Sequence, residues 1–127
     1  MNTLTSGEEA IMQIIWKLGP CAIGHIMEHL RGSKKQGEIP AQTTISTFLR
    51  ILVDKGFLSY KVFGKTYEYT PMITKQKYSI NELRKMIKNY FGNKPSTMVS
   101  FLVEEEQIDE TELADLIKQL KTKSGKK

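Results

Sequence analysis

The sequence predicts a mainly α-helical fold with one small β-hairpin: a winged helix-turn-helix followed by a helical dimerisation region. Three observations predict it. Ile45, Phe48, Leu49 and Leu52 recur at i, i+3, i+4 and i+7, the buried stripe of an amphipathic helix. Lys55-Gly56 then stops that helix and the period becomes alternating, with Leu58, Tyr60 and Val62, a Gly64-Lys65 turn, and Tyr67 and Tyr69 two apart. Beyond residue 92, two short segments carry apolar faces that cannot both be hidden against each other, which calls for a partner subunit. A polar-faced helix running straight into a basic hairpin is the arrangement that puts the helix in a DNA major groove and the hairpin on the flanking backbone.

Each element has its own local signal. Thr5 and Ser6 precede Glu8 and Glu9 as two overlapping capping-box patterns, so the first helix starts there. Ile11, Ile14, Ile15 and Leu18 form its stripe, Met12 and Trp16 broaden it, and Gly19-Pro20 ends it. Residues 21–23 have room for a short strand against the wing. Ile23, Ile26, Met27 and Leu30 mark a second helix closed by Gly32, and a polar connection spans 33–40. After Pro71 an amphipathic helix covers about 74–91, with Leu83, Met86, Ile87, Tyr90 and Phe91 on one side. Pro95-Ser96 opens a shorter helix. Asp109 as N-cap, Glu112 at the third helical position and the apolar pair Ile108 and Leu113 open the last one. The expected organisation is a winged-helix domain over 1–71, a helical dimerisation region over 72–121 and a disordered basic tail over 122–127.

Composition narrows the function classes. The 127 residues include no apolar run near the roughly 18 needed for a membrane span. No charged-then-apolar leader opens the chain, and the single cysteine, Cys21, suits a reducing compartment, so a cytoplasmic protein without membrane insertion is expected. The net charge of +5 is unevenly spread. Residues 1–70 carry 8 Lys/Arg against 6 Asp/Glu, residues 71–95 carry 6 against 1, and residues 96–127 carry 5 against 7. A basic front and middle with an acidic rear fit a polyanion on one side.

The polar face of the third helix supplies the binding candidates. At about 100° per residue, Thr43, Thr47, Arg50 and Asp54 cluster opposite the apolar stripe. Gln42, Thr43, Thr44, Ser46, Thr47 and Arg50 are the expected DNA contacts, joined by Lys61 and Lys65 of the wing. Arginine bonds guanine in bidentate fashion, whereas threonine meets a phosphate, a base edge or a thymine methyl. Tyr67 and Tyr69 are read as packing on the domain's own core. Met98, Phe101, Leu102, Leu113, Leu116, Ile117 and Leu120 are the expected dimerisation residues. Cys21, His25 and His29 recur every four residues, but a fourth ligand and a second cysteine are missing, so neither metal nor cofactor is expected. No phosphate loop, nucleophile elbow or His/Asp/Ser grouping appears, which argues against an enzyme. Two rival readings stay open: a winged-helix protein–protein adaptor whose helix 41–55 binds a polypeptide, and a repressor controlled by a small ligand or metal.

Two segments together resemble one family. E-E-A-I-M-Q-I-I-W (Glu8 to Trp16) is similar to the opening helix of the penicillinase and methicillin-resistance repressors. T-I-S-T-F-L-R-I-L-V-D-K-G-F-L (Thr44 to Leu58), followed by Tyr67 to Tyr69, is similar to their recognition helix and wing. The resemblance implies a homodimeric repressor of double-stranded operator DNA, relieved when a membrane sensor protease responding to β-lactams triggers cleavage in the dimerisation region. The implied scissile bond is Ser100–Phe101, with serine where known members carry asparagine. Thr43 and Ser46 stand where well-known members are more basic, implying a different operator. The absence of cysteine near the carboxy terminus sets the chain apart from the copper-responsive branch.

Overall fold

A computed structural model describes residues 3–105 and 108–124, with side chains through residue 119. In chain order the elements are α1 (Ser6–Leu18), α2 (Ile23–Ser33), a short 3-10 turn (Gln36–Glu38), α3 (Gln42–Asp54), β1 (Leu58–Phe63), β2 (Thr66–Pro71), α4 (Lys75–Tyr90), α5 (Pro95–Glu105) and α6 (Glu110–Ser124). They divide into two compact units, Met1–Ser79 and Ile80–Lys127.

Of the two possible boxes at the start of α1, the chain uses Thr5 with Glu8. The Glu8 amide donates to Thr5 Oγ1 at 3.3 Å and the Thr5 amide donates to Glu8 Oε1 at 3.1 Å. Glu8 does a second job: it is buried, and Lys55 Nζ from the end of α3 reaches its Oε1 at 2.5 Å while also donating to the Thr3 carbonyl. The helices approach closely beside this pair because residue 7 is glycine. A Cβ there would lie 2.7 Å from the Phe48 ring.

The Lys55 hydrogen bond holds the Glu8 carboxyl below its ordinary value of 4.5, outweighing the opposing effect of burial. A depressed pKa gives stability that is fully present above the ordinary value and is lost as pH falls through the lower folded value. The urea midpoint is therefore expected to drop below about pH 4.5, and to drop less steeply in Glu8→Gln. That variant should itself lose about 1–3 kcal/mol at neutral pH, because Lys55 loses its charged partner. Parallel acid slopes in the two proteins would contradict this account.

The core of the first unit joins Ile11 and Ile15 of α1, Ile26 and Leu30 of α2, Ile45, Leu49 and Leu52 of α3, and Phe57 and Leu58 beyond it. Helix α3 ends in a Schellman arrangement: Gly56 takes φ 87°, its amide bonds the Val53 carbonyl, and the Phe57 amide bonds the Leu52 carbonyl. Ile73 and Tyr78 complete this core from beyond the wing. The Trp16 indole N–H donates to the Ile73 carbonyl at 2.9 Å, and its ring packs 5.6 Å from that of Tyr78. The first unit therefore extends to residue 79, past the expected boundary at 71.

The wing is a two-stranded antiparallel sheet in which Phe63 pairs with Thr66 around Gly64-Lys65, and Gly64 takes φ 62° as a two-residue hairpin turn requires. Cys21 adds the expected short pairing, with amide–carbonyl bonds to Tyr69 in both directions. Burial pushes the Cys21 thiol up from its ordinary value, Glu68 adding to the shift, so it behaves as a core side chain.

In the second unit Gly92 and Asn93, both at positive φ, separate α4 from α5, and the Phe91 and Phe101 rings meet edge-on at 5.7 Å. The Glu112 amide bonds Asp109 Oδ1 at 2.7 Å, the expected N-cap of α6. That helix continues to Ser124, beyond the expected end at 121. The stretch expected to be a tail from 122 is thus helical as far as 124. Residues 125–127 lie outside the described residues.

Candidate nucleic-acid interface

The sequence supplies no capping side chain for α3. Ala41 is its N-cap, its first turn contains no acidic residue, and the amides of Thr44 and Ile45 turn back to the Ala41 carbonyl. The helix thus begins with its positive end free of carboxylates, the condition for meeting a phosphate. This end borders a groove of about 640 Å³ between the start of α2, the first two turns of α3 and the wing. Gln42, Thr43 and Ser46 line one side, and Lys65, Thr66 and Tyr67 line the other.

Four of the expected contacts, Gln42, Thr43, Ser46 and Lys65, are therefore brought together. Thr44, Thr47 and Arg50 are exposed along the same helix but do not line the groove. The Thr47 hydroxyl is engaged locally, donating to the Thr43 carbonyl at 3.0 Å. Lys61 is placed differently. It pairs directly with Glu68 across the hairpin, so it shares a sheet face with an acid and points away from the face carrying Tyr60 and Tyr67.

Tyr69 is half-buried against the core as expected, and burial raises its hydroxyl pKa with Tyr67 and Tyr60 adding. Tyr67 corrects the expectation. It is exposed, and its ring stacks on that of Tyr60 at 4.9 Å with only 4° between the planes. Alternation alone cannot tell which residues of a strand reach past the core's edge. The register does, because Tyr67 pairs with Val62 near the tip and Tyr69 with Tyr60 nearer the base. Tyr67 thus lines the groove with its ring stacked on Tyr60, a pairing that strand-by-strand reading missed.

His25 has a structural role: its Nδ1 accepts from the Ala22 amide at 3.1 Å, capping α2 where Ala22 has no acceptor of its own. Among the described apolar residues of the second unit, Ile80, Leu83, Met86, Tyr90, Val99, Phe101, Leu116 and Ile117 are exposed. Met98, Leu102 and Leu113 are half-buried, and the Leu120 side chain lies outside the described residues. Ser100 is exposed, and the Ser100–Phe101 bond lies within α5. No helix among the described residues is long and apolar enough to cross a membrane.

Comparison with known proteins agrees with this architecture. The chain is 25% identical over 124 residues to the penicillinase repressor of Bacillus licheniformis, covering 98% of this chain and 94% of the relative. It is 27% identical over 117 residues to the methicillin resistance regulatory protein MecI of Staphylococcus aureus (strain N315), covering 89% of each. An uncharacterized 16.5 kDa protein of Latilactobacillus sakei is 24% identical over 124 residues, covering 98% of this chain and 82% of that one. The solution structure of the DNA binding domain of the repressor BlaI superposes with a TM-score of 0.51 at 26% identity, covering 60% of this chain and 88% of that domain. Residues 4–122 match the penicillinase repressor family, to which this chain belongs.

Proposed function

We propose that this protein is a dimeric transcriptional repressor that binds operator DNA through α3 and the wing and acts in the cytoplasm without catalysis. The groove carries the reading: it gathers a carboxylate-free helix start, three hydrogen-bonding side chains and Lys65 at one edge of the first unit. Gln42, Thr43 and Ser46 can reach base edges and phosphates, while Lys65 neutralises backbone charge. Thr44, Thr47 and Arg50 extend the contact along the helix. Lys61 belongs at its margin, since Glu68 opposes it.

Two substitutions test the assignment. Arg50→Ala is expected to cost about 1–3 kcal/mol of operator affinity if its guanidinium reads a base. Lys65→Ala should weaken operator and scrambled duplex equally and lower the salt slope by about 1. Mobility shifts over a salt series read both effects. Affinity that does not weaken as salt rises would overturn DNA binding in favour of a polypeptide partner.

The exposed Phe101, Leu116 and Ile117, with the half-buried Met98, Leu102 and Leu113 beside them, support assembly into a homodimer whose seam Leu120 would also join. Control by cleavage at Ser100–Phe101 would separate α6 from the DNA-binding unit and remove the avidity of two-site binding. The bond is helical and Phe101 packs on Phe91, so a sensor-triggered protease needs α5 to open locally first. In cells exposed to a cell-wall antibiotic, mass spectrometry is expected to find a fragment beginning at Phe101. An intact chain throughout derepression would rule this control out.

A further inference from the structure

A second groove, of about 790 Å³, lies on different residues of the first unit: Ile14, Trp16 and Lys17 of α1, His29 of α2, and the segment Pro71 to Lys75 after the wing. We propose that it binds a small amphipathic anion, an apolar ring system bearing a carboxylate. This inference is independent of the DNA-binding reading, because the two grooves share no lining residue.

The volume falls within the usual range of small-molecule sites. The apolar floor is held in place: the Trp16 indole is fixed by its bond to the Ile73 carbonyl and by its contact with Tyr78. A fixed aromatic surface can receive a flat apolar group with little ordering cost. Met72 is an unbranched side chain left 62% exposed at the groove's edge, able to adjust its shape to an occupant. The sign of the ligand follows from the rim. Lys17 and Lys75 stand on it, His29 and Gln13 add hydrogen-bonding capacity, and no carboxylate is among the lining residues. A neutral hydrophobe would leave both ammonium groups without a partner in the site, and a cation would be repelled. A carboxylate attached to a ring fills floor and rim together.

Trp16 is the chain's single tryptophan, so its indole N–H gives one resonance in a proton–nitrogen correlation spectrum of the full-length protein. Titration with 2-naphthoate is expected to shift that resonance saturably. The neutral analogue 2-naphthalenemethanol should bind about tenfold more weakly, as should 2-naphthoate to the Lys17→Gln/Lys75→Gln double variant. An unchanged indole position in the unliganded variant establishes that its fold is retained. If that position moves, the single variants are titrated instead, each expected to lose about threefold. No saturable shift, equal binding of the alcohol, or undiminished affinity in the folded variants would overturn the proposal.

Discussion

Phe57→Ala is expected to remove about 3–5 kcal/mol of stability from the first unit, a large part of the roughly 5–15 kcal/mol that holds a typical domain folded. Phe57 is 1% exposed and follows directly on the glycine that ends α3. Its amide bonds the Leu52 carbonyl and its own carbonyl accepts from the Met72 amide, so the residue links α3 to the chain leaving the wing. Its ring meets Tyr78 edge-on at 5.7 Å. Truncation leaves a cavity bordered by residues from either side of the wing, which cannot collapse without moving α3. Thermal unfolding should show a midpoint lower by at least 10 °C, at about 4–8 °C per kcal/mol for a unit of this size. A loss under about 1 kcal/mol would mean that the site relaxes freely and that Phe57 is not the plug this packing makes it.

Much of this fold could be read from local patterns because local physics sets them. Thr5 with Glu8, Gly19, Gly56, Gly64 and Asp109 each solve a backbone problem within a few residues, and each stands where its signal placed it. The stripe of α3 was equally plain, since Ile45, Leu49 and Leu52 face one core. What escaped were pairings across long sequence separations. Glu8 was recognisable as a capping residue, but its ion pair with Lys55 joins positions 47 apart and depends on the α1–α3 approach that Gly7 permits. Trp16 and Tyr78 likewise meet only once the chain has returned from the wing, so the first unit outruns the boundary suggested by Pro71.

The candidate site was legible to a similar depth. A helical wheel separates the polar face of α3 from its buried face but does not say which polar residues look toward the wing. Only Gln42, Thr43 and Ser46 share the groove with Lys65. The position of Lys61 was latent in the hairpin: once Gly64-Lys65 is taken as a two-residue turn, counting back pairs Lys61 with Glu68. Tyr67 was harder, because its exposure depends on how far the wing projects beyond the body of the domain. The same register leaves the Tyr60–Tyr67 stack beyond the reach of the core.

Leu116→Glu is expected to convert the protein from dimer to monomer at micromolar concentration and to weaken binding to a palindromic operator by about 10²- to 10⁴-fold. Leu116 and Ile117 are adjacent apolar residues on α6, 49% and 45% exposed. Helical spacing puts the half-buried Leu113 on the same side, so this apolar strip is only partly covered in the single chain. A second copy bringing the same strip would bury both, as a twofold interface requires. A glutamate at the centre of that seam would have to be desolvated without a partner, a cost the dimer cannot absorb. Each DNA-binding unit would then meet its half-site alone, so affinity for one isolated half-site should be nearly unchanged while affinity for the full palindrome collapses. Asp115→Lys, on the polar side of the same helix, should leave the dimer intact and so separates disruption of the strip from a general effect of altered charge. Sedimentation of the three proteins decides the matter. A monomeric wild type, or a Leu116→Glu dimer with full operator affinity, would remove α6 from the interface.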